Sequence, residues 1–149
     1  MINIPTLYFG YLIILLSIIG FGYLSAKILS IRLSLGELGL SGILFMTILS
    51  YITNLFVSHG LIHNSIFLAI GLFVFFLMLK KKLFRKKIKL ILLVSSALFI
   101  GILMYKTHDD FFYYHFQYTI SLIEFKKIFG VGNLEHGWRT PSSIFYFNS

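Results

Sequence analysis

The sequence predicts an all-α integral membrane protein with four transmembrane helices, and two observations support this fold class. Of the 149 residues, 58% are hydrophobic and only 12% are charged, whereas a soluble domain carries charge on about a quarter of its residues. The apolar residues are also collected in long runs, and about 20 such residues in a row suffice to cross a bilayer as a helix. The chain has no cysteine, which excludes disulfides and thiol chemistry.

Four apolar runs are the predicted transmembrane helices, and they make residues 1–106 the transmembrane region. The first run follows "MINIPT", which has no basic residue and therefore does not fit a signal peptide. The fourth run has only about 16 residues, or about 24 Å of helix, but the lysines that flank it can extend to the interfaces. The runs lie at about residues 8–26, 38–57, 61–79 and 90–105.

The distribution of basic residues predicts the orientation of these helices. Lys27 and Arg32 lie between the first two runs, and "KKKLFRKKIK" (80–89) places seven cations between the third and the fourth. The connection "SHGLIHN" (58–64) has no lysine or arginine. Because short cytoplasmic loops are rich in these residues, we expect the N-terminus and the segment after the fourth run to face the periplasm of a bacterial inner membrane. The basic block suits contact with the lipid bilayer, and no nucleic-acid-binding module accompanies it, so no nucleic-acid partner is expected.

Small and polar residues on the second run are interpreted as contact surfaces for neighbouring helices, with a polar pathway for a substrate or ion as the alternative. His59 and His63 follow at the turn before the third run, where we interpret them as interfacial polar residues, with a ligand role as the alternative. The residues of the second run are Gly36, Gly39, Gly42, Thr47, Ser50 and Asn54.

Residues 107–141 are predicted to form an external loop that contains an amphipathic helix. "YHFQYTISL" (114–122) alternates apolar and polar residues as a strand does, but a lone strand at the lipid surface would leave its backbone groups unpaired. A helix in the interface plane over residues 112–129, with Lys126 and Lys127 extended toward water, is therefore favoured. Thr140 and Pro141 are typical of a helix start. Residues 142–149 are accordingly predicted to begin a fifth span that the chain does not complete, as in an N-terminal fragment of a longer protein.

The adjacent acids in "THDD" (107–110) have two interpretations. Thr-x-x-Asp before an apolar run is a capping-box pattern, so Asp109 and Asp110 can serve to start a helix. Paired carboxylates at the lipid–water boundary can also hold a divalent cation, or one of them can act as a base toward a hydroxyl. A metal centre on His108 and His115 is disfavoured, because the two lie about 10 Å apart on an unbroken helix.

Two strings of the external loop carry a resemblance to a known family. "HDDFFYYHF" (108–116) and "GVGNLEHGWRTPSSIFYFNS" (130–149) together resemble the first large external loop of GT-C-type polytopic membrane glycosyltransferases. They are more closely similar to an uncharacterised group of bacterial multi-span membrane proteins with that layout. The resemblance is confined to about residues 108–149. The matching positions are Asp109 or Asp110, Tyr114, His115, Gly130, Asn133, Leu134, Arg139, Ser142 and Ser143.

The resemblance implies the inverting transfer of a sugar from a polyprenyl-phosphate donor to a glycan acceptor on the outer face of the membrane. It implies a catalytic role for Asp109 and Asp110, which would also be the ligands of a divalent cation if the reaction uses one. Arg139 would bind the lipid phosphate because its planar fork suits phosphate oxygens, and Lys126 and Lys127 are weaker candidates. The resemblance also assigns substrate binding to Tyr114, His115 and Asn133.

The same resemblance implies further partners, namely C-terminal helices of the same protein that would complete the donor groove. The alternative function is a non-enzymatic polytopic membrane protein, such as a transporter or an assembly subunit, in which "THDD" only caps a helix.

Overall fold

The computed structural model describes residues 3–104, 112–113, 115–127 and 146–147, except for the side chain of Leu83. Throughout these residues the regular secondary structure is helical, with no strand, so the predicted all-α class is confirmed for this part of the chain. The helices are α1 (Ile4–Ile28), α2 (Leu35–Asn54), α3 (Leu61–Leu79), α4 (Lys82–Arg85), α5 (Ile88–Leu103) and α6 (His115–Glu124).

Three of these helices are long and apolar enough to cross a membrane. They are α1, α2 and α3, with 25, 20 and 19 residues. The helix α5 is equally apolar but has only 16 residues, so the fourth predicted span remains a prediction. Many large apolar side chains of the four helices are exposed, among them Leu44 at 66% and Leu93 at 68%. A soluble protein rarely exposes so much apolar surface, and such exposure suits a lipid environment.

The ends of the helices lie within four residues of those of the predicted apolar runs. The helix α3 coincides with the predicted third run. The helix α2 ends at Asn54, although Leu55, Phe56 and Val57 continue the apolar run. Phe56 N–H and Val57 N–H both donate to the carbonyl of Thr53, at 3.0 and 2.9 Å, and this tight turn ends the helix.

The chain forms two compact units, of which the first comprises Met1–Ile43 and Phe67–Lys106. Glycines allow its helices to approach closely. A Cβ on Gly22 would overlap the carbonyl oxygen of Leu38, and a Cβ on Gly42 would overlap that of Ile18. The contact predicted from Gly42 is thus present. Gly36 and Gly39 instead have no described atom within 4 Å of a built Cβ, so any helix contact at these two positions is less close than that at Gly42.

Large apolar side chains form the core of the first unit. Phe75 and Met78 of α3 are 1% and 0% exposed, and Leu38 of α2 is 1% exposed. The helix α5 packs against α1, since Tyr8 makes a 2.7 Å hydrogen bond with Ser96 and an edge-to-face ring contact with Phe99. These contacts fix α5 beside α1 in this unit.

The second unit comprises Leu44–Ile66 and Thr107–Ser149. The helix predicted for the loop is confirmed as α6, although α6 covers His115–Glu124 rather than residues 112–129, of which 114, 128 and 129 lie outside the described residues. Tyr118 and Leu122, one turn apart, are buried in a cluster with Tyr146. Phe112 and Phe116, on the apolar face predicted for the interface, are 64% and 45% exposed. The helix therefore has one face toward the protein and a second apolar face outward.

Candidate functional site

Most of the residues predicted to form the site lie outside the described residues. His115 is the exception, and it is the half-buried first residue of α6. Its carbonyl accepts a 2.9 Å hydrogen bond from the hydroxyl of Thr119. Within the described ranges, no group of three or more His, Cys, Asp or Glu side chains could hold a metal ion. The catalytic, metal-binding and substrate-binding roles remain predictions for Asp109, Asp110, Tyr114, Asn133 and Arg139.

The structure nevertheless fixes the helix that follows the acids. The carbonyl of Leu122, near the end of α6, accepts a 2.9 Å hydrogen bond from the backbone N–H of His59. The carbonyl of Asn54, the last residue of α2, accepts a 2.7 Å hydrogen bond from the backbone N–H of Lys127. The last carbonyls of a helix have no partner within the helix. Each of these two helices therefore receives a donor from the segment that follows the other.

The side chain of Asn54 strengthens this junction. It is 0% exposed, and its Nδ2 donates to the carbonyls of Leu122 and Phe125, both at 3.4 Å. Two carbonyl neighbours define the orientation of the amide, since the opposite orientation would place Oδ1 against two acceptors. No described group donates to the buried Oδ1. The polar face that the sequence indicates on the second run is thus used here to hold the external helix.

Two histidines form the centre of the same region. His59 is 1% exposed, and its Nε2–H donates to the carbonyl of Ser50 at 3.0 Å. Its ring is stacked on that of His63, with 4.4 Å between centroids and 6° between planes. The side chain of Asn64 joins the two, because its Nδ2 donates to the carbonyl of His59 and its Oδ1 accepts from Nδ1 of His63. The sequence places these histidines in a turn but does not reveal this stacking.

Burial keeps His59 neutral. The pKa of His59 is lowered from the ordinary 6.5 to about 4, chiefly by removal from water and next by the adjacent His63, while the hydrogen bond to Ser50 opposes the shift. Neutral imidazole has a single N–H. The hydrogen bond to the carbonyl of Ser50 assigns that proton to Nε2.

The hydroxyl of Thr53 lies within hydrogen-bonding distance of both His63 and the carbonyl of Ser50. Its Oγ1 lies 2.9 Å from Nε2 of His63 and 3.1 Å from the carbonyl of Ser50. One hydroxyl has one hydrogen to donate. If it donates to His63, Nε2 of that ring is the acceptor. If it donates to Ser50, Nε2 of His63 donates to Thr53 instead.

The stacking also bears on the alternative that the histidines are metal ligands. The nitrogen lone pairs lie in the plane of each imidazole ring, and the in-plane directions of two nearly parallel rings do not converge on one ion. In this arrangement the pair acts as a hydrogen-bonded structural element. A metal role would require one of the rings to rotate.

A second cluster surrounds Lys127, which the sequence predicts to extend toward water. Its ammonium instead donates a 2.8 Å hydrogen bond to the hydroxyl of Tyr146 and lies 4.2 Å from the ring centroid of Tyr51. The hydroxyl of Tyr146 is also 3.3 Å from that of Tyr118, whose pKa is raised by burial. The prediction is therefore wrong for Lys127, because cation–π attraction holds it among tyrosines, whereas Lys126 is exposed as expected.

These observations define, for the described residues, a helical protein with three helices suited to a membrane and a short helix, α6, that is anchored to the connection between two of them. No protein-family model, curated protein or solved structure matches the chain.

Proposed function

We propose that the chain is the N-terminal part of a multi-span membrane glycosyltransferase of the GT-C type. It would transfer a sugar from a polyprenyl-phosphate donor to a glycan acceptor on the periplasmic face of a bacterial inner membrane. The observation that carries the proposal is the anchoring of α6 by Asn54 and His59. A segment that bears catalytic groups needs a defined position, and α6 directly follows the segment of Asp109 and Asp110.

The proposed topology is supported by the ends of α3. This helix is unbroken over 19 residues, which makes it roughly 28 Å long. The connection that anchors α6 precedes its first residue, and the basic block follows its last residue. Cations favour the cytoplasmic side, so the opposite end of α3, and with it α6, belongs outside.

We include α5 in the membrane as a fourth span. It has 16 residues and no charged residue except Lys89 in its first turn. It packs on α1 through Ser96 and the buried Phe99, while Leu93 and Ile100 are 68% and 61% exposed. A short helix of this kind fits a bilayer by local thinning and by extension of its flanking lysines.

In the proposed reaction, Asp109 or Asp110 accepts the proton of an acceptor hydroxyl. The hydroxyl oxygen attacks the anomeric carbon from the face opposite to the phosphate, and the bond between that carbon and the phosphate oxygen breaks. The polyprenyl phosphate leaves with the bond electrons, and Arg139 stabilises its charge. Lys127 is a second candidate for the phosphate, because its ammonium is already held in place beside Tyr146.

The experiment is the substitution of both acids, Asp109→Asn with Asp110→Asn, in the full-length protein. We expect the double variant to insert normally and to lose at least about a hundredfold of its transfer rate, the usual effect of removing a general base. Glu124→Gln is the matched control, since Glu124 is an exposed acid at the end of α6. Unchanged glycan product from the folded double variant would refute the catalytic assignment.

The second candidate is a non-enzymatic membrane protein, such as a transporter or an assembly subunit. It is favoured by one observation, the stacking of the buried His59 on the partly buried His63, whose Nε2 lies 2.9 Å from the hydroxyl of Thr53. Ionisable groups beside membrane helices often serve proton or ion pathways. Transport that survives the double aspartate substitution and fails in His63→Gln would select this function.

A further inference from the structure

A cavity of about 400 Å³ lies at the end of the first unit where the basic residues are concentrated. It is formed by the end of α1, the connection to α2 and the start of α4. Three cations line it, Lys27, Arg32 and Lys81, together with the rings of Tyr23 and Phe84. None of the described acids lines it. The proposed sugar transfer concerns the other end of the helices and does not involve this cavity.

Two of the cations lie over the ring of Tyr23. The Nζ atoms of Lys27 and Lys81 lie 5.9 and 5.3 Å from its centroid. Tyr23 is 8% exposed, and its ring meets that of Phe84 edge to face at 5.9 Å. Two ammonium groups from distant parts of the chain are thus attracted to one fixed ring. The two ammonium groups repel each other, and an anion between them would offset this repulsion.

The acid nearest in sequence to these cations is engaged elsewhere. Glu37 lies in the first turn of α2, where its Oε2 accepts a 2.6 Å hydrogen bond from the N–H of Ser34. It caps the start of that helix and does not line the cavity. The cavity therefore has a positive potential that the described carboxylates do not neutralise.

The backbone at the rim of the cavity supplies a further polar group. Ser30 has φ 55, and α1 ends there with Ser30 N–H donating to Lys27 and Ile31 N–H donating to Ala26. This is the pattern of a Schellman motif, in which glycine is the usual residue at the left-handed position. Serine is strained there. Ser30 lines the cavity, so a contact between its hydroxyl and a ligand would favour serine over glycine at this position.

We propose that this cavity binds the phosphate of an anionic phospholipid from the cytoplasmic leaflet. Phosphate oxygens would accept from Arg32, the two lysines and the hydroxyl of Ser30, as charge-assisted hydrogen bonds. A lipid fits better than a soluble phosphate ester because Ile31 lines the cavity and Ile28 and Leu29 beside it are 63% and 64% exposed. Acyl chains can pack on these side chains while the headgroup enters the cavity.

The test measures lipid binding by native mass spectrometry of the full chain in detergent. The probes are phosphatidylglycerol and phosphatidylcholine with identical acyl chains. The cavity variant combines Lys27→Gln, Arg32→Gln and Lys81→Gln. The control variant combines Lys82→Gln, Arg85→Gln and Lys86→Gln, which removes the same charge from exposed residues that do not line the cavity.

We expect the wild-type chain and the control variant to prefer phosphatidylglycerol. The cavity variant should bind it at least about tenfold more weakly, the loss expected for one charged hydrogen bond or more. Equal weakening in both variants would overturn the proposal, because diffuse attraction to any basic residue would then explain the binding. Equal binding of the two lipids by the wild-type chain would overturn it as well.

Two further arms decide the source of the phosphate and guard against misfolding. Glycerol 3-phosphate and inorganic phosphate should fail to displace the lipid at equal concentration, and displacement would overturn the lipid assignment in favour of a soluble phosphate ester.

Ser30→Gly suits the left-handed backbone and should raise the melting temperature, yet it should weaken lipid binding about threefold through the lost hydroxyl. If the triple cavity variant unfolds, Ser30→Gly decides, and unchanged binding by it would overturn the proposal.

Discussion

The backbone N–H of Lys127 lies 2.7 Å from the carbonyl oxygen of Asn54, the last residue of α2. The side chain of the same Asn54 donates to the carbonyls of Leu122 and Phe125 at the end of α6. One buried residue thus caps two helix ends, its own through its carbonyl and that of the external helix through its amide. This reciprocal capping is the reason that α6 has a fixed position beside the end of α2.

Asn54→Ala should destabilise the second unit by about 1–2 kcal/mol, because the carbonyl of Phe125 loses this donor and that of Leu122 keeps only the backbone N–H of His59. The matched control is Asn3→Ala, since Asn3 is exposed and its side chain makes no capping hydrogen bond. That variant should change stability by less than about 0.5 kcal/mol. Thermal unfolding in detergent measures both. Equal melting temperatures of the two variants would contradict the capping role of Asn54.

The stability of the protein should fall as the pH is lowered from about 6.5 to about 4. The unfolded chain protonates His59 near its ordinary pKa of 6.5, whereas the folded chain does so only near a pKa of about 4. Between these values the unfolded state binds more protons, so the free energy of unfolding increases with pH. The contribution of His59 is fully present above the unfolded pKa. After allowance for screening by water near the helix ends, the effect is about 1–2 kcal/mol.

His59→Gln identifies the residue responsible for this pH dependence. Glutamine retains a donor that can reach the carbonyl of Ser50 but does not titrate. The variant should therefore be less stable near neutral pH and show a flatter dependence between pH 4 and 6.5. Melting temperatures collected across this range test it. Parallel curves for the variant and the wild type would assign the dependence to another group.

Gly22→Ala should destabilise the first unit by about 1–3 kcal/mol, the usual cost of overpacking. The new Cβ would overlap the carbonyl oxygen of Leu38, and a backbone atom cannot rotate away. Gly10→Ala in the same helix is the control, because nothing lies within 4 Å of a Cβ at that position. Its replacement should be neutral or stabilise by up to about 1 kcal/mol. Chemical unfolding followed by circular dichroism distinguishes them, and a stable Gly22→Ala protein would argue against the close contact between α1 and α2.

Local sequence patterns predict the helices well because membrane helices depend on uniform apolar composition. The helix α3 begins and ends where its apolar run does. The end of α2 is different, since Leu55 and Phe56 continue the run although the helix stops at Asn54. The group that stabilises this end is Lys127 N–H, which lies 73 positions further along the chain. A local pattern cannot contain such a contact.

The sequence predicts which polar residues belong to this region but not the contacts that they make. The polar face of Ser50 and Asn54 and the histidines of the following turn are visible in the sequence. Their spacing alone does not show that the ring of His59 stacks on that of His63. It also does not show that the backbone N–H of His59 donates to the carbonyl of Leu122 in α6. Both depend on the tertiary packing of α6. The acids that carry the chemical prediction lie outside the described residues, and their role depends on the experiments above.

The sidedness of the chain should be measurable with single cysteines, because the natural sequence contains none and gives no background. Glu124 and Lys82 are both exposed, one at the end of α6 and the other at the start of α4. If the basic block is cytoplasmic, an impermeant maleimide should label Glu124→Cys in intact spheroplasts and Lys82→Cys only after lysis. The reverse pattern would place α6 in the cytosol. Transfer from a lipid-linked sugar on the outer face would then be impossible, because the catalytic segment and the donor would lie on opposite sides of the membrane.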